Sequence, residues 1–167
     1  MQWGVKMEEA ENLTEERLDE IAATFGSVEE CDRTCMEVFI KNRWSLHKSV
    51  EWSKCEALYL KRAAFVIMAG LAKSDNTLQN SIFRAFLPIL IRESVDERDE
   101  IADVISWALK EIGKRNADLT EAALHAAEKI ETMQTPSARR IGETVTEMLK
   151  KPALGHYNYP KEKYATA

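Results

Sequence analysis

Apolar residues recur three or four positions apart along nearly the whole chain, and no stretch alternates with the two-residue period of a strand. Leu18, Ile21, Ala22 and Phe25 predict a first helix over about 15–25, capped by Thr14 and released through a left-handed Gly26. Ser27 and Glu30 form a capping box that opens a second helix, with Val28, Cys31, Cys35, Val38 and Phe39 on its inward side. A short helix of about 45–52 carries Leu46, Val50 and Trp52, and Ser53 with Glu56 reads as another capping box. The helix it opens, about 54–73, is apolar almost all round and belongs in the middle of a layered structure. Next comes a helix of about 78–93 with Ile82, Phe83, Phe86, Leu87 and Leu90 inward and a kink expected at Pro88. The clearest helix starts at Asp96 and closes at Gly113, with Ile101, Val104, Ile105, Ala108 and Ile112 as its buried stripe. Asp118 begins another, packed through Leu119, Ala122, Ala123, Ala126 and Ile130. The last, about 136–150, has Thr135 as cap, Pro136 at its first position and Pro152 as its stop, with Ala138, Ile141, Val145 and Leu149 inward.

The second helices of successive pairs begin near residues 54, 97 and 136, a period of about 40 that marks a HEAT-like repeat. The expected fold class is therefore all-α, a right-handed solenoid of antiparallel helix pairs, with residues 13–151 as its single domain. Residues 1–12 are acidic and polar and are expected to be disordered, with Trp3 as their one anchor. Residues 152–167 have no helical period and read as an irregular tail whose tyrosines fold back on the body.

A chain of 167 residues with 45% hydrophobic and 31% charged residues suits one soluble domain. The first residues hold no apolar leader, and the longest apolar run, 63–72, is too short to span a bilayer, so a cytoplasmic protein is expected. Cys31, Cys35 and Cys55 form no CxxC pair and read as reduced thiols, the first two as core packing rather than metal ligands. Net charge is −5 but uneven: residues 1–37 hold three basic and eleven acidic residues. The remainder is slightly basic, and Lys110, Lys114, Arg115, Arg139, Arg140, Lys150 and Lys151 make the C-terminal half the side that suits a polyanion, against the commoner reading of solvated charge.

Three residues break their local patterns. Trp107 falls about 130° from the middle of its helix's apolar stripe, among Glu100, Asp103, Lys110, Glu111 and Lys114. Either a neighbouring helix covers it or it faces a ligand. Arg62 sits on an otherwise apolar face, flanked by Leu58, Tyr59, Phe65 and Val66, which calls for a structural ion pair or a cation at the floor of a binding surface. Asp32 lies on the shoulder of its stripe, one turn after Val28.

The segments CDRTC from Cys31, EWSK and LKRAAFVIMAGLA between Glu51 and Ala72, DERDE and SWALKEIGKRN from Asp96, and SARRI from Ser137 resemble the HEAT-like DNA alkylation repair family, the AlkD-type alkylpurine DNA glycosylases. The resemblance runs from about residue 14 to 151. It implies a solenoid whose concave face grips duplex DNA and cleaves the N-glycosidic bond of N3- or N7-alkylated purines, with no metal or organic cofactor. It also implies that Asp32, Arg62 and Trp107 are the catalytic group and that Lys61, Lys110, Lys114, Arg115, Arg139 and Arg140 contact DNA. The chain departs from the family pattern at Val28, where a second tryptophan is usual, at Ala102 and Asp103, where basic residues are common, and at Lys110 and Arg140. Fewer helices precede the matching region than the family usually has, so an N-terminally shortened solenoid is expected, with a homodimer through that end as one way to complete it. The alternative from a different class is a catalytically degenerate HEAT-repeat scaffold for protein–protein interaction.

Overall fold

The computed structural model describes residues 7–151 and 155–162. Among these it is all-helical, with no strand: α1 (Glu15–Ala22), α2 (Val28–Glu37), α3 (Ser45–Trp52), α4 (Leu58–Ser74), α5 (Asn80–Glu93), α6 (Asp99–Gly113), α7 (Ala117–Glu131) and α8 (Pro136–Leu149). Side-chain caps start several of them where the sequence places a short polar residue. Thr14 accepts from the Arg17 amide, Ser27 from Glu30, Asn116 from Leu119 and Thr135 from Ala138.

Several boundaries differ from the sequence reading for local reasons. The chain leaves α1 at Ala22, and Gly26 does not take the left-handed conformation expected of it. The Glu30 carboxylate reaches back to the Gly26 amide at 3.3 Å, so the capping box closes one residue early. Ser53 caps nothing, because its buried hydroxyl donates to the Val50 carbonyl at 2.6 Å, and α4 starts only at Leu58 with no side-chain cap. Of the apolar residues on α3, Trp52 is buried and Val50 is exposed. Pro88 lies inside α5, which continues through it.

Four of the helices form one continuous row. α2, α4, α6 and α8 pack side by side in that order, while α3 lies on α4 and α7 bridges α6, α8 and α5. α4 is the centre, with every residue from Lys61 to Ala72 buried. Close helix approach needs missing side chains: a Cβ on Gly142 of α8 would stand 2.8 Å from the Ala127 carbonyl of α7.

Both ends of the described residues are tied to this body. Met7–Asn12 forms a 3-10 turn, contrary to the disorder expected of an acidic stretch. Ala10 is fully buried, and the Asn42 side chain donates to the Ala10 and Leu13 carbonyls at 2.9 Å each. Trp3 and Pro152 lie outside the described residues. The tail does fold back: Tyr157 and Tyr159 donate their amides to the Lys114 and Arg115 carbonyls, both at 2.8 Å.

Candidate functional site

Arg62 on α4 reaches across to α2. Its Nε donates to Asp32 Oδ1 at 2.9 Å and its Nη2 to Oδ2 at 2.8 Å, a two-pronged pair that fixes the carboxylate plane. The remaining nitrogen, Nη1, donates to the Glu100 carbonyl on α6 at 2.6 Å. Arg62 thus joins three successive helices of the α2–α4–α6–α8 row. Burial works against its charge, but the Asp32 contacts outweigh burial and hold the guanidinium above its ordinary pKa. The Arg62 side chain is 10% exposed and that of Asp32 28%, so the pair presents its negative end outward.

From Glu100 the link to Trp107 runs along α6. Glu100, Asp103, Trp107, Lys110 and Lys114 follow one another at three- and four-residue steps, which puts them on one face of the helix. Asp103 lies close enough for its charge to act on Arg62. Trp107 packs against the core, is half-buried, and lines a groove of about 390 Å³ with Asp103, Ser106, Lys110, Arg140, Thr144 and Met148. The structure therefore brings Asp32 and Arg62 into direct contact and sets Trp107 two turns beyond Glu100 on α6. Of the groove residues on α8, Arg140 was expected from the sequence, while Thr144 and Met148 were not singled out. Their signal was there, since Arg140, Thr144 and Met148 repeat every four residues beside the inward stripe Ile141, Val145 and Leu149.

The cations expected to meet DNA divide in two. Lys61 is buried and spent on Glu93 Oε1 at 2.7 Å and Asp96 Oδ2 at 2.8 Å, so it is an internal ion pair and not a phosphate contact. Arg115 is fully buried: it donates to the carbonyls of Ala72, Asp75 and Leu78 at 2.9, 2.6 and 3.0 Å and lies between the rings of Phe83 and Tyr159. It locks the end of α4 and is equally excluded. Arg139 and Arg140 are exposed, with Arg140 3.1 Å from Asp99. Lys110 is partly exposed beside Glu111, and Lys114 lies over the Tyr157 ring, 4.8 Å from its centroid. Val28, the first residue of α2, is half-buried one turn before Asp32.

Two other clusters could be taken for metal sites. Cys31 and Cys35 are buried with their thiols directed at the Tyr59 and Ala63 carbonyls, and burial pushes the Cys35 thiol well above its ordinary pKa, away from the thiolate a metal needs. Glu15, His47 and Glu51 converge, but the Lys48 ammonium stands 3.0 Å from Glu15 and 2.7 Å from Glu51, a cation already in place.

No helix among the described residues is long and apolar enough to cross a membrane. Residues 2–141 match the family model described as DNA alkylation repair enzyme. No curated protein and no solved structure matches the chain.

Proposed function

The chain belongs to the DNA alkylation repair enzyme family, and from that premise we propose that the α2–α4–α6–α8 row is a concave face that binds duplex DNA and releases N3- or N7-alkylated purines. The observation that carries this reading is the Asp32 carboxylate, held flat by Arg62 with its charge turned outward. Such a purine is already a cationic leaving group. When the glycosidic bond breaks, its electron pair stays with the base and positive charge builds on the deoxyribose. A fixed anion lowers the energy of that state, and water adding at the sugar carbon completes an abasic site. Arg62 would keep Asp32 oriented, the face of Trp107 would pack on the cationic sugar, and Lys110, Arg139 and Arg140 would contact phosphates.

The test is an oligonucleotide duplex carrying 7-methylguanine. Abasic sites should form above the spontaneous rate, and Asp32→Asn should reduce formation to that rate while duplex binding persists. Unchanged release by D32N would overturn the role of Asp32. One observation favours a second reading, duplex binding without cleavage: both carboxylate oxygens are already engaged by Arg62. In that case the duplex binds with strong salt dependence and the base stays on.

A further inference from the structure

Resting on that duplex-binding reading, we propose that the C-terminal segment 155–162 masks one end of the DNA-binding face and keeps Lys114 off the duplex. The segment has two halves. The anchor half is densely bonded: the Tyr159 amide donates to the Arg115 carbonyl at 2.8 Å, its hydroxyl to the Lys73 carbonyl at 2.8 Å, and its own carbonyl accepts from Asn116 at 3.0 Å. The Lys161 carbonyl accepts the Asn80 amide at the start of α5, at 2.8 Å. These bonds fill positions on the Arg115 lock, so this half is part of the fold.

The other half meets the Trp107 face. Tyr157 places its ring under the Lys114 ammonium, 4.8 Å from the ring centre, and donates its hydroxyl to Glu111 Oε2 at 2.8 Å. The other oxygen of Glu111 lies 3.7 Å from Lys110. A single tail residue thus holds Lys114 and, through Glu111, leans on Lys110. Lys114 is seven residues beyond Trp107, two turns along the same helix face, where a phosphate following the groove would arrive. A phosphate would offer the ammonium a full charge where the ring offers only its quadrupole. The joint between the halves is Asn158, the one non-glycine residue with positive φ among those described, at 56°. Asparagine tolerates that conformation, and the Tyr157 half, held by its amide to the Lys114 carbonyl at 2.8 Å and by His156 to Thr120 at 2.9 Å, turns by giving up those two bonds while the Tyr159 half stays docked.

The experiment measures the affinity of the full-length chain for an undamaged duplex across a range of salt concentrations. Lys114→Gln alone should leave the slope of log affinity against log salt unchanged. Tyr157→Ala should steepen it by about 0.9, the contribution of one phosphate contact, and raise affinity severalfold at low salt. Tyr157→Phe, which keeps the ring, should behave like the parent, and Tyr157→Ala with Lys114→Gln should return to the parent slope. A slope lowered by Lys114→Gln alone overturns the mask, and that variant decides the matter even if Tyr157→Ala does not fold. So does a Tyr157→Ala slope equal to the parent's. Absence of any salt-dependent duplex binding overturns the duplex-binding reading itself and this inference with it, whereas the first two outcomes leave that reading intact.

Discussion

Arg115 and Arg62 are both buried guanidiniums, yet the first is answered by backbone carbonyls between two aromatic rings and the second by a carboxylate that reaches solvent. Burial lowers the Arg115 pKa to about 10, so it stays a cation at neutral pH, with nothing exposed to offer a ligand. It can only fasten α4, the start of α5 and the tail together. Arg62 spends two of its donors on a carboxylate that is itself partly exposed, and a third on the Glu100 carbonyl. The chemistry of a buried arginine is therefore decided by the exposure of whatever pairs with it.

The largest effect that would break this contrast is on stability. Arg115→Met leaves several buried carbonyls without donors, at about 1–3 kcal/mol for each unsatisfied group, so a total loss of about 3–5 kcal/mol is expected after relaxation. Urea unfolding measures it. A loss below about 1 kcal/mol would show that the lock is dispensable, which is out of line with the usual cost of orphaned buried polar groups.

Lys61 provides an intermediate case, with carboxylates as acceptors but little exposure. Lys61→Met leaves Glu93 and Asp96 with only Arg92 and Arg98 and should cost about 2–3 kcal/mol. The same cluster gives an acid signature. Hydrogen bonds from Arg98, together with those from Lys61, pull the Asp96 carboxyl well below the usual range, and at Glu93 the Lys61 and Arg92 contacts outweigh the effect of burial and lower it too. Folded-state pKa values below the unfolded ones add stability above about pH 4, and that stability is lost as pH falls from there toward the folded values. Unfolding midpoints between pH 7 and pH 3 should fall less steeply in Lys61→Met than in the parent. The hydrogen-bond acceptors of Arg115 are carbonyls, which do not titrate, so the lock should contribute no such slope.

The helices were legible because their apolar spacing and three of their caps, Thr14, Ser27 and Thr135, are local properties, readable within a window of a few residues. Asp32, Arg62 and Trp107 stand out in the sequence because each departs from its own stripe, and Asp32 and Arg62 meet directly. Lys61 and Arg115 misled because their partners are remote. Asp96 lies 35 residues from Lys61, and the carbonyls that hold Arg115 come from residues 72–78. A lysine or arginine beside a helix end looks equally suited to a phosphate or to an internal acceptor until the packing is known. The Ser53 cap failed for the opposite reason, since a nearer acceptor, the Val50 carbonyl, competed for the same hydroxyl.

Arg62→Met sharpens the comparison from the functional side. It strips Asp32 of its partner, but Asp32 is partly hydrated, so the stability loss should be only about 1–2 kcal/mol, well under that of Arg115→Met. Base release from a 7-methylguanine duplex should fall much further than stability does. A melting shift without a change in release would mean that the pair is structural, and Arg62 would then belong with Arg115.

Arg140 completes the series at the wet end. Its pair with Asp99 joins side chains that are 52% and 78% exposed, and such pairs are worth about 0–1 kcal/mol. Arg140→Ala should therefore leave the unfolding midpoint almost unchanged. Because it also lines the Trp107 groove, the same substitution should weaken duplex binding and reduce its salt slope by about 0.9. The ratio of those two effects is what separates this arginine from the other two: for Arg115 stability should move first, for Arg62 base release, and for Arg140 binding alone. A stability loss at Arg140 comparable to that at Arg62 would mean that exposure of the partner does not set the role, and the contrast between the two buried arginines would need another cause.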